Sequence, residues 1–268
     1  MRAKDSIMKN VKPKKFLGQH FLNDLNIARR IADTVDSAPE GMPVLEVGPG
    51  MGVLTQFLLQ KERDIKVAEI DYESVEYLRR TYPQMEERII EDDFLKMHLE
   101  RVFNGNPFVL TGNYPYNISS QIFFKMLEYK DYIPVCTGMI QKEVAERITA
   151  RPGSKTYGIL SILIQAWYDT EYLFTVDEHV FTPPPKVKSA VIRLTRNHTE
   201  DLGCDEKLMK QIVKLVFSQR RKQLRNPLKA LIGKDCPMLK EAFFDQRPEQ
   251  LSISDFIELT NRISELPK

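Results

Sequence analysis

Pro43-Val44-Leu45-Glu46-Val47-Gly48-Pro49-Gly50-Met51-Gly52-Val53 is the stretch that decides the fold. Residues 43–47 form a short apolar run that reads as a buried strand, and it passes directly into three glycines spaced two apart. Residues 53–59 then carry a helical pattern. Strand, glycine loop and helix together let the backbone approach a nucleotide-like ligand, and the helix N-terminus offers free N–H groups. The spacing is G-x-G-x-G, because Val53 stands where a dinucleotide fingerprint has its third glycine. A second strand pattern over 65–71 contains Glu69, 21 residues past Gly48. That is close to the roughly 20 residues expected for a carboxylate that accepts from ribose hydroxyls. The competing reading is a structural glycine turn followed by a solvated strand end.

Further strand patterns lie at 88–90, 108–111, 134–140, 172–176 and 187–194, and helical patterns alternate with them. Asn23 or Asp24 can cap the first helix, whose apolar positions Ile27, Ile31 and Val35 recur at helical spacing. Alternation to about residue 195 predicts an α/β domain, a mostly parallel sheet with helices on both faces. From 196 to 205 the chain turns polar and irregular. Beyond it, 208–217, 224–231, 238–244 and 254–263 read as short amphipathic helices without strand patterns. The expected organisation is a basic arm over 1–15, an α/β domain over 16–198 and a small all-helical domain over 199–268.

The third strand ends in Glu91-Asp92-Asp93, where an acid can accept the exocyclic amine of an adenine or cap the segment beginning at Phe94. The fourth delivers Asn113-Tyr114-Pro115-Tyr116 to the carboxyl edge of the sheet, where open α/β folds bind ligands. An amide, a proline that fixes the backbone and an aromatic ring suit the gripping of a planar base. An ordinary Asn-Pro turn would look the same in isolation. Phe181-Thr182-Pro183-Pro184-Pro185-Lys186 is a loop stiffened by its prolines, in which Phe181 is either a second aromatic face or a core anchor.

Composition narrows the class. The chain has 268 residues and 42% hydrophobic content, enough for a core. No apolar run approaches the ~20 residues of a membrane span, and the polar, basic N-terminus lacks an apolar signal segment. Cys136, Cys204 and Cys236 are widely spaced and odd in number, which argues against a disulfide framework and a clustered zinc site, and fits a cytoplasmic location. Net charge is only +2. Its distribution is uneven: eight basic against two acidic residues over 1–30, and nine against one over 207–235. Two local basic patches suit a polyanion bound over a defined footprint, with Arg220, Arg221, Lys222 and Arg225 at the centre of the second.

The glycine loop with its downstream acid resembles the S-adenosylmethionine site of class I methyltransferases. Asn113-Tyr114-Pro115-Tyr116 resembles the turn by which amino-methyltransferases treat an exocyclic base nitrogen. Gly18-Gln19-His20-Phe21-Leu22, Glu46-Val47-Gly48-Pro49-Gly50, Asn113 to Ile118, Gln141-Lys142-Glu143-Val144, Phe181 to Val187 and Ser218-Gln219-Arg220-Arg221-Lys222 extend the likeness. From about residue 12 to the last helix, the chain resembles the bacterial ribosomal RNA adenine dimethyltransferases. The resemblance implies a Rossmann-like domain with a helical C-terminal domain. It also implies dimethylation at N6 of two adjacent adenosines near the 3′ end of 16S rRNA, within a nearly complete 30S subunit. S-adenosylmethionine would be the methyl donor, with no metal, and the chain would act as a monomer. Cofactor contacts would fall on His20, Leu22, Gly48, Gly50, Glu69, Asp93 and Asn113. Asn113 Oδ1 and the Tyr114 carbonyl would accept the N6 protons, and Tyr116 and Phe181 would stack on the base. Two positions depart from the family's common pattern: His20 stands where Asn is frequent, and Tyr114 where Leu is frequent. Three other readings compete: a 23S rRNA adenine methyltransferase of the macrolide-resistance type, a DNA amino-methyltransferase, and a non-catalytic ribosome assembly factor.

Overall fold

The computed structural model describes residues 13, 14 and 17–266, so the basic arm expected over 1–15 lies outside the described residues apart from Pro13 and Lys14. In chain order the elements are β1 (Phe21–Leu22), α1 (Leu25–Asp33), β2 (Val44–Val47), α2 (Thr55–Leu58), β3 (Ile65–Glu69), α3 (Tyr72–Thr81), β4 (Ile89–Glu91), β5 (Val109–Thr111) and α4 (Ser119–Glu128). They continue with β6 (Val135–Gln141), α5 (Lys142–Thr149), α6 (Ile159–Gln165), β7 (Tyr168–Val176), β8 (Phe181–Thr182), β9 (Ser189–Arg196), α7 (Glu206–Ser218), α8 (Arg225–Ile232) and α9 (Ile253–Ser264).

A seven-stranded sheet runs in the order β4-β3-β2-β5-β6-β9-β7. The pairs β4–β3, β3–β2, β2–β5 and β5–β6 are parallel, while β9 lies antiparallel to β6 from Val135↔Thr195 to Gln141↔Ser189. The mostly parallel α/β sheet read from the sequence is therefore present. Strand order reverses between β2 and β5, so their carboxyl ends flank the crevice where such sheets bind ligands. All four β2 residues are buried, as expected of a strand covered on both faces. Asp24, rather than Asn23, caps α1, accepting from the Asn26 and Ile27 N–H groups at 2.8 and 3.1 Å.

Three local expectations change. The helix read over 53–59 is confined to Thr55–Leu58, because Gly52, at φ +76°, closes a turn onto the Pro49 carbonyl before regular helix begins. The helix read over 238–244 is two single turns of 3-10 helix, interrupted by Glu241 in extended conformation. The short antiparallel pair β1–β8, with Phe21 opposite Thr182 and Leu22 opposite Phe181, has no counterpart in the sequence reading.

The chain forms two compact units, Met1–Ala145 with Thr170–Arg196, and Glu146–Asp169 with Asn197–Lys268. The expected boundary near 198 misses the excursion over 146–169. Packing explains it: α6 lies against α7, and the fully buried Tyr157 meets Phe217 edge-on at 6.4 Å. Phe217 in turn sits 6.3 Å from Phe256 of α9. The apolar side of this excursion completes the helical core instead of the sheet. In the first unit, Leu45 and Leu110 of β2 and β5 are completely buried, and α1 packs Ala28, Ile31 and Ala32 inward. No helix among the described residues is long and apolar enough to cross a membrane.

Candidate active site

The glycine loop rises from β2 and folds back on the neighbouring strand end. The Gly48 N–H donates to the Ala68 carbonyl at 2.9 Å, and Gly48 and Gly50 both adopt positive φ (+65° and +55°), a region open to glycine and strained for other residues. A Cβ on Gly48 would lie 3.6 Å from the Pro115 ring, filling the gap between the loop and the Asn113 turn. Glu69, only 4% exposed, anchors the loop. Its Oε2 accepts the Gly50 N–H at 3.0 Å and its Oε1 accepts the Asp71 N–H at 2.9 Å. Burial raises its pKa, and the N–H groups of Asp71, Gly50 and Ile70 hold the rise in check. With three backbone donors on its four acceptor sites, the carboxylate keeps room for a further donor.

Behind the loop, Glu46 is 1% exposed and accepts the Thr55 hydroxyl at 2.6 Å. Burial, with a lesser contribution from the charge of Glu69, pushes its pKa up to about 8. Asp93 follows the end of β4 and takes the capping role. Its Oδ1 caps the following turn through the Leu95 N–H at 3.0 Å, its Oδ2 lies 3.3 Å from Lys96 Nζ, and it still lines the cavity.

Beyond β5 the chain makes one more bridge, Asn113 with Met139, before leaving the sheet. The Tyr114 N–H donates to the Met139 carbonyl at 3.0 Å. Asn113 Nδ2 donates to the His20 carbonyl at 3.2 Å, which ties the turn to the 17–22 segment. The Tyr114 ring turns away from the cavity: it is 1% exposed, its hydroxyl donates to the Thr137 carbonyl at 2.8 Å, and burial raises its pKa well above the usual phenol value. Only the Tyr114 backbone is thus available to a ligand. The Tyr116 ring faces His20, 5.2 Å between centroids, and its hydroxyl is clamped on Ser189. His20 Nδ1 lies 2.8 Å from the Pro183 carbonyl, which can only accept, so Nδ1 carries the proton and Nε2 is left as the acceptor of the neutral ring.

These parts line one cavity of about 240 Å³, walled by Leu17–Leu22 (17–22), the 46–51 loop, Glu69, Ile70, Asp93 and Asn113–Ile118 (113–118). A second cavity of about 570 Å³ adjoins it, lined by Pro183, Pro184, Pro185, Lys186 and Gln141. Gly18, Gln19, His20, Tyr116 and Asn117 belong to both walls. His20, Leu22, Gly48, Gly50, Glu69, Asp93 and Asn113 to Tyr116, all singled out in the sequence, therefore meet at the first cavity.

Phe181 does not join them. It is 2% exposed and belongs to the hydrophobic core, held there by the β1–β8 pair, so its role here is the anchor and not the second stacking face. The second basic patch is also thinner than its sequence suggests. Arg220 Nε is paired with Glu249 at 2.7 Å and its Nη2 donates to the Ser154 carbonyl, and Arg225 is paired with Asp245. Arg221 and Lys222 are exposed. Three contributors escaped the sequence reading. Ile70 is 54% exposed beside Glu69, Ser189 holds Tyr116, and Asp71 draws in Lys14 and Gln19 at the cavity rim. Burial alone would raise the Asp71 pKa, but the Lys14 ammonium and the Ser74 and Gln19 hydrogen bonds bring it below the usual range. Among the described residues no group of three or more His, Cys, Asp or Glu is placed to hold a metal ion.

A family model described as ribosomal RNA adenine dimethylase matches residues 10–264. The chain belongs to that family. The Ribosomal RNA small subunit methyltransferase A of Bacteroides thetaiotaomicron is 73% identical over 261 residues, 97% of each chain. Among solved structures, the adenine dimethylase fold recurs in a dimethyladenosine transferase from Plasmodium falciparum, with a TM-score of 0.75 at 23% identity, covering 92% of this chain and 98% of that one. It recurs also in the 23S rRNA methyltransferase ErmE, with a TM-score of 0.65 at 27% identity, covering 90% and 99%. Both share with this chain the class I methyltransferase fold inferred from the glycine loop.

Proposed function

We propose that the chain uses S-adenosylmethionine to dimethylate N6 of two adjacent adenosines near the 3′ end of 16S rRNA, acting on the small ribosomal subunit as a cytoplasmic monomer. One observation carries this reading: the glycine loop, the strand-end acids Glu69 and Asp93, and the Asn113 turn share a single cavity.

The residues fit the cofactor by their chemistry. Glu69 keeps acceptor capacity for a ribose hydroxyl, and Asp93 stands at the next strand end for an exocyclic amine. Gly48 and Pro115 face each other across the cavity wall, and the bare Gly48 backbone leaves that side open to a ligand. Ile70 offers an apolar face to a purine. When bound, S-adenosylmethionine supplies an electrophilic methyl group.

An adenine N6 lone pair is delocalised into the ring and is a poor nucleophile. Asn113 Oδ1 and the Tyr114 carbonyl accept the two N6–H bonds and pull the nitrogen toward tetrahedral geometry, which frees the lone pair. The base reaches this point by leaving its helix and stacking on Tyr116. Catalysis is positioning and fixed dipoles, without a strong general base. Arg221 and Lys222 supply exposed charge to the RNA backbone.

The test uses 30S subunits from cells lacking this chain, with S-adenosylmethionine carrying a labelled methyl group. The wild-type chain should label 16S rRNA in these subunits, and Asn113→Ala should abolish labelling while 30S binding persists. Labelling of naked 23S rRNA alone would establish the ErmE-like reading instead, and loss of 30S binding together with labelling would remove Asn113 from the role assigned to it.

A further inference from the structure

The two acceptors of the Asn113 turn are held with very different firmness. The Asn113 amide has one hydrogen bond, Nδ2 to the His20 carbonyl at 3.2 Å, on a side chain with two rotatable bonds. The residue beside it is fixed at every point. The Tyr114 N–H donates to the Met139 carbonyl at 3.0 Å, and the Met139 N–H donates to the Gly112 carbonyl at 2.9 Å. The Tyr114 ring meets Phe123 edge-on at 5.9 Å, and its hydroxyl reaches across to the Thr137 carbonyl on β6.

Gly138 makes room for that ring, and Gly112 lets the turn approach β2. A Cβ on Gly138 would fall 2.8 Å from Tyr114 Cε2 and 2.3 Å from the Gly112 carbonyl; one on Gly112 would fall 2.6 Å from the Val47 carbonyl and 3.4 Å from the Tyr114 ring. The Tyr114 carbonyl itself accepts no hydrogen bond among the described residues.

This asymmetry matters because the substrate changes between transfers. Unmethylated N6 has two N–H groups for two acceptors. After one transfer a single N–H remains, and the new methyl group must occupy space next to one acceptor. The amide can rotate aside; the carbonyl cannot. We propose that the Tyr114 carbonyl is the acceptor that orients N6 in the second transfer, and that the buried Tyr114 hydroxyl is the positioning group that keeps it in place. In that step a bond forms between N6 and the methyl carbon as the methyl–sulfur bond breaks with its electron pair going to sulfur, and the remaining N6 proton passes to water. The inference rests on the dimethylation reading above.

The experiment compares wild type, Tyr114→Phe and Tyr114→Leu on 30S subunits from cells lacking the chain. Monomethyl- and dimethyladenosine are quantified against time by mass spectrometry, alongside the S-adenosylmethionine dissociation constant and the Tm. Removing the hydroxyl should leave cofactor affinity within about twofold and slow the second transfer about tenfold more than the first, so that monomethyladenosine accumulates. Tyr114→Leu, which lacks the same bond to Thr137, should show the same bias even if Tyr114→Phe proves unstable. A slowdown equal in both transfers, or tracking only the fall in Tm, would overturn the proposal, as would an unchanged product ratio. A wild-type chain that makes no methylated adenosine would instead refute the function from which the inference starts.

Discussion

Glu46 gives the molecule a pH-dependent weakness that a single substitution should remove. The carboxyl is completely buried beneath the glycine loop with one hydrogen bond, from the Thr55 hydroxyl, and burial brings its pKa from 4.5 to about 8. Between those values the folded chain holds a proton that the unfolded chain has released. Stability is therefore at its fullest below the unfolded value and falls as pH rises toward the folded one. The loss is about 1.4 kcal/mol for each pH unit, or about 2 kcal/mol between pH 6 and pH 8 after allowing for partial ionisation near the upper end. Glu46→Gln keeps a carbonyl oxygen for Thr55 and cannot ionise. Relative to wild type, it should lose less stability over that range by roughly that amount. For a unit of this size the difference is on the order of 5 °C in Tm. Calorimetry of the cofactor-free protein at pH 6, 7 and 8 reads the effect directly. Tryptophan fluorescence does not, because Trp167 belongs to the other unit. Parallel falls in Tm for the two proteins would show that Glu46 is ionised in the folded chain at neutral pH, and that the loop is built on a charge.

Ser189→Ala deprives the Tyr116 hydroxyl of its partner and should raise the KM for the RNA substrate several-fold with cofactor affinity unchanged; in a Tyr116→Phe background the same substitution should have little further effect, as steady-state kinetics of the double-mutant cycle would show. Arg220→Ala breaks the Glu249 ion pair and the bond to Ser154, and should cost the helical unit about 1 kcal/mol, measured by denaturation with Trp167 as the probe. Arg221→Ala and Lys222→Ala should leave stability alone and each reduce the slope of log affinity against log salt for 30S binding by about 1. Unchanged slopes would take those two side chains out of the footprint.

What the sequence made legible is what backbone chemistry demands. Gly48 and Gly50 had to be glycine for their positive φ, and the run 43–47 could only be a buried strand, so the cavity's floor was readable before any contact was known. Glu69 and Asp93 followed from position at strand ends. The residues that were misread or missed owe their roles to partners far away in the chain. Phe181 is a core anchor because it lies opposite Leu22, 159 positions away. A two-residue strand has no periodicity to betray that pairing. Ser189 matters through Tyr116, and residues 146–169 belong with the helices because Tyr157 meets Phe217. Charge misled for the same reason. Arg220 and Arg221 are neighbours of one type, yet Glu249 has claimed the first, and no count of basic residues distinguishes them.

Tyr114 shows how such a distant partnership can change chemistry without changing a motif. As a letter in an Asn-x-Pro-Tyr turn it offers only a carbonyl, and any residue offers that. In the fold, its hydroxyl crosses to β6 and Gly138 gives up its side chain to its ring. The side chain at this position therefore locks the carbonyl that the turn presents. A tyrosine does so with a directional bond, whereas an aliphatic residue would have only packing to do it. The difference between those two locks is small for a nitrogen with two protons to place and large for a nitrogen with one. That is why the ratio of mono- to dimethyl product, more than the rate, is the quantity in which this substitution should speak.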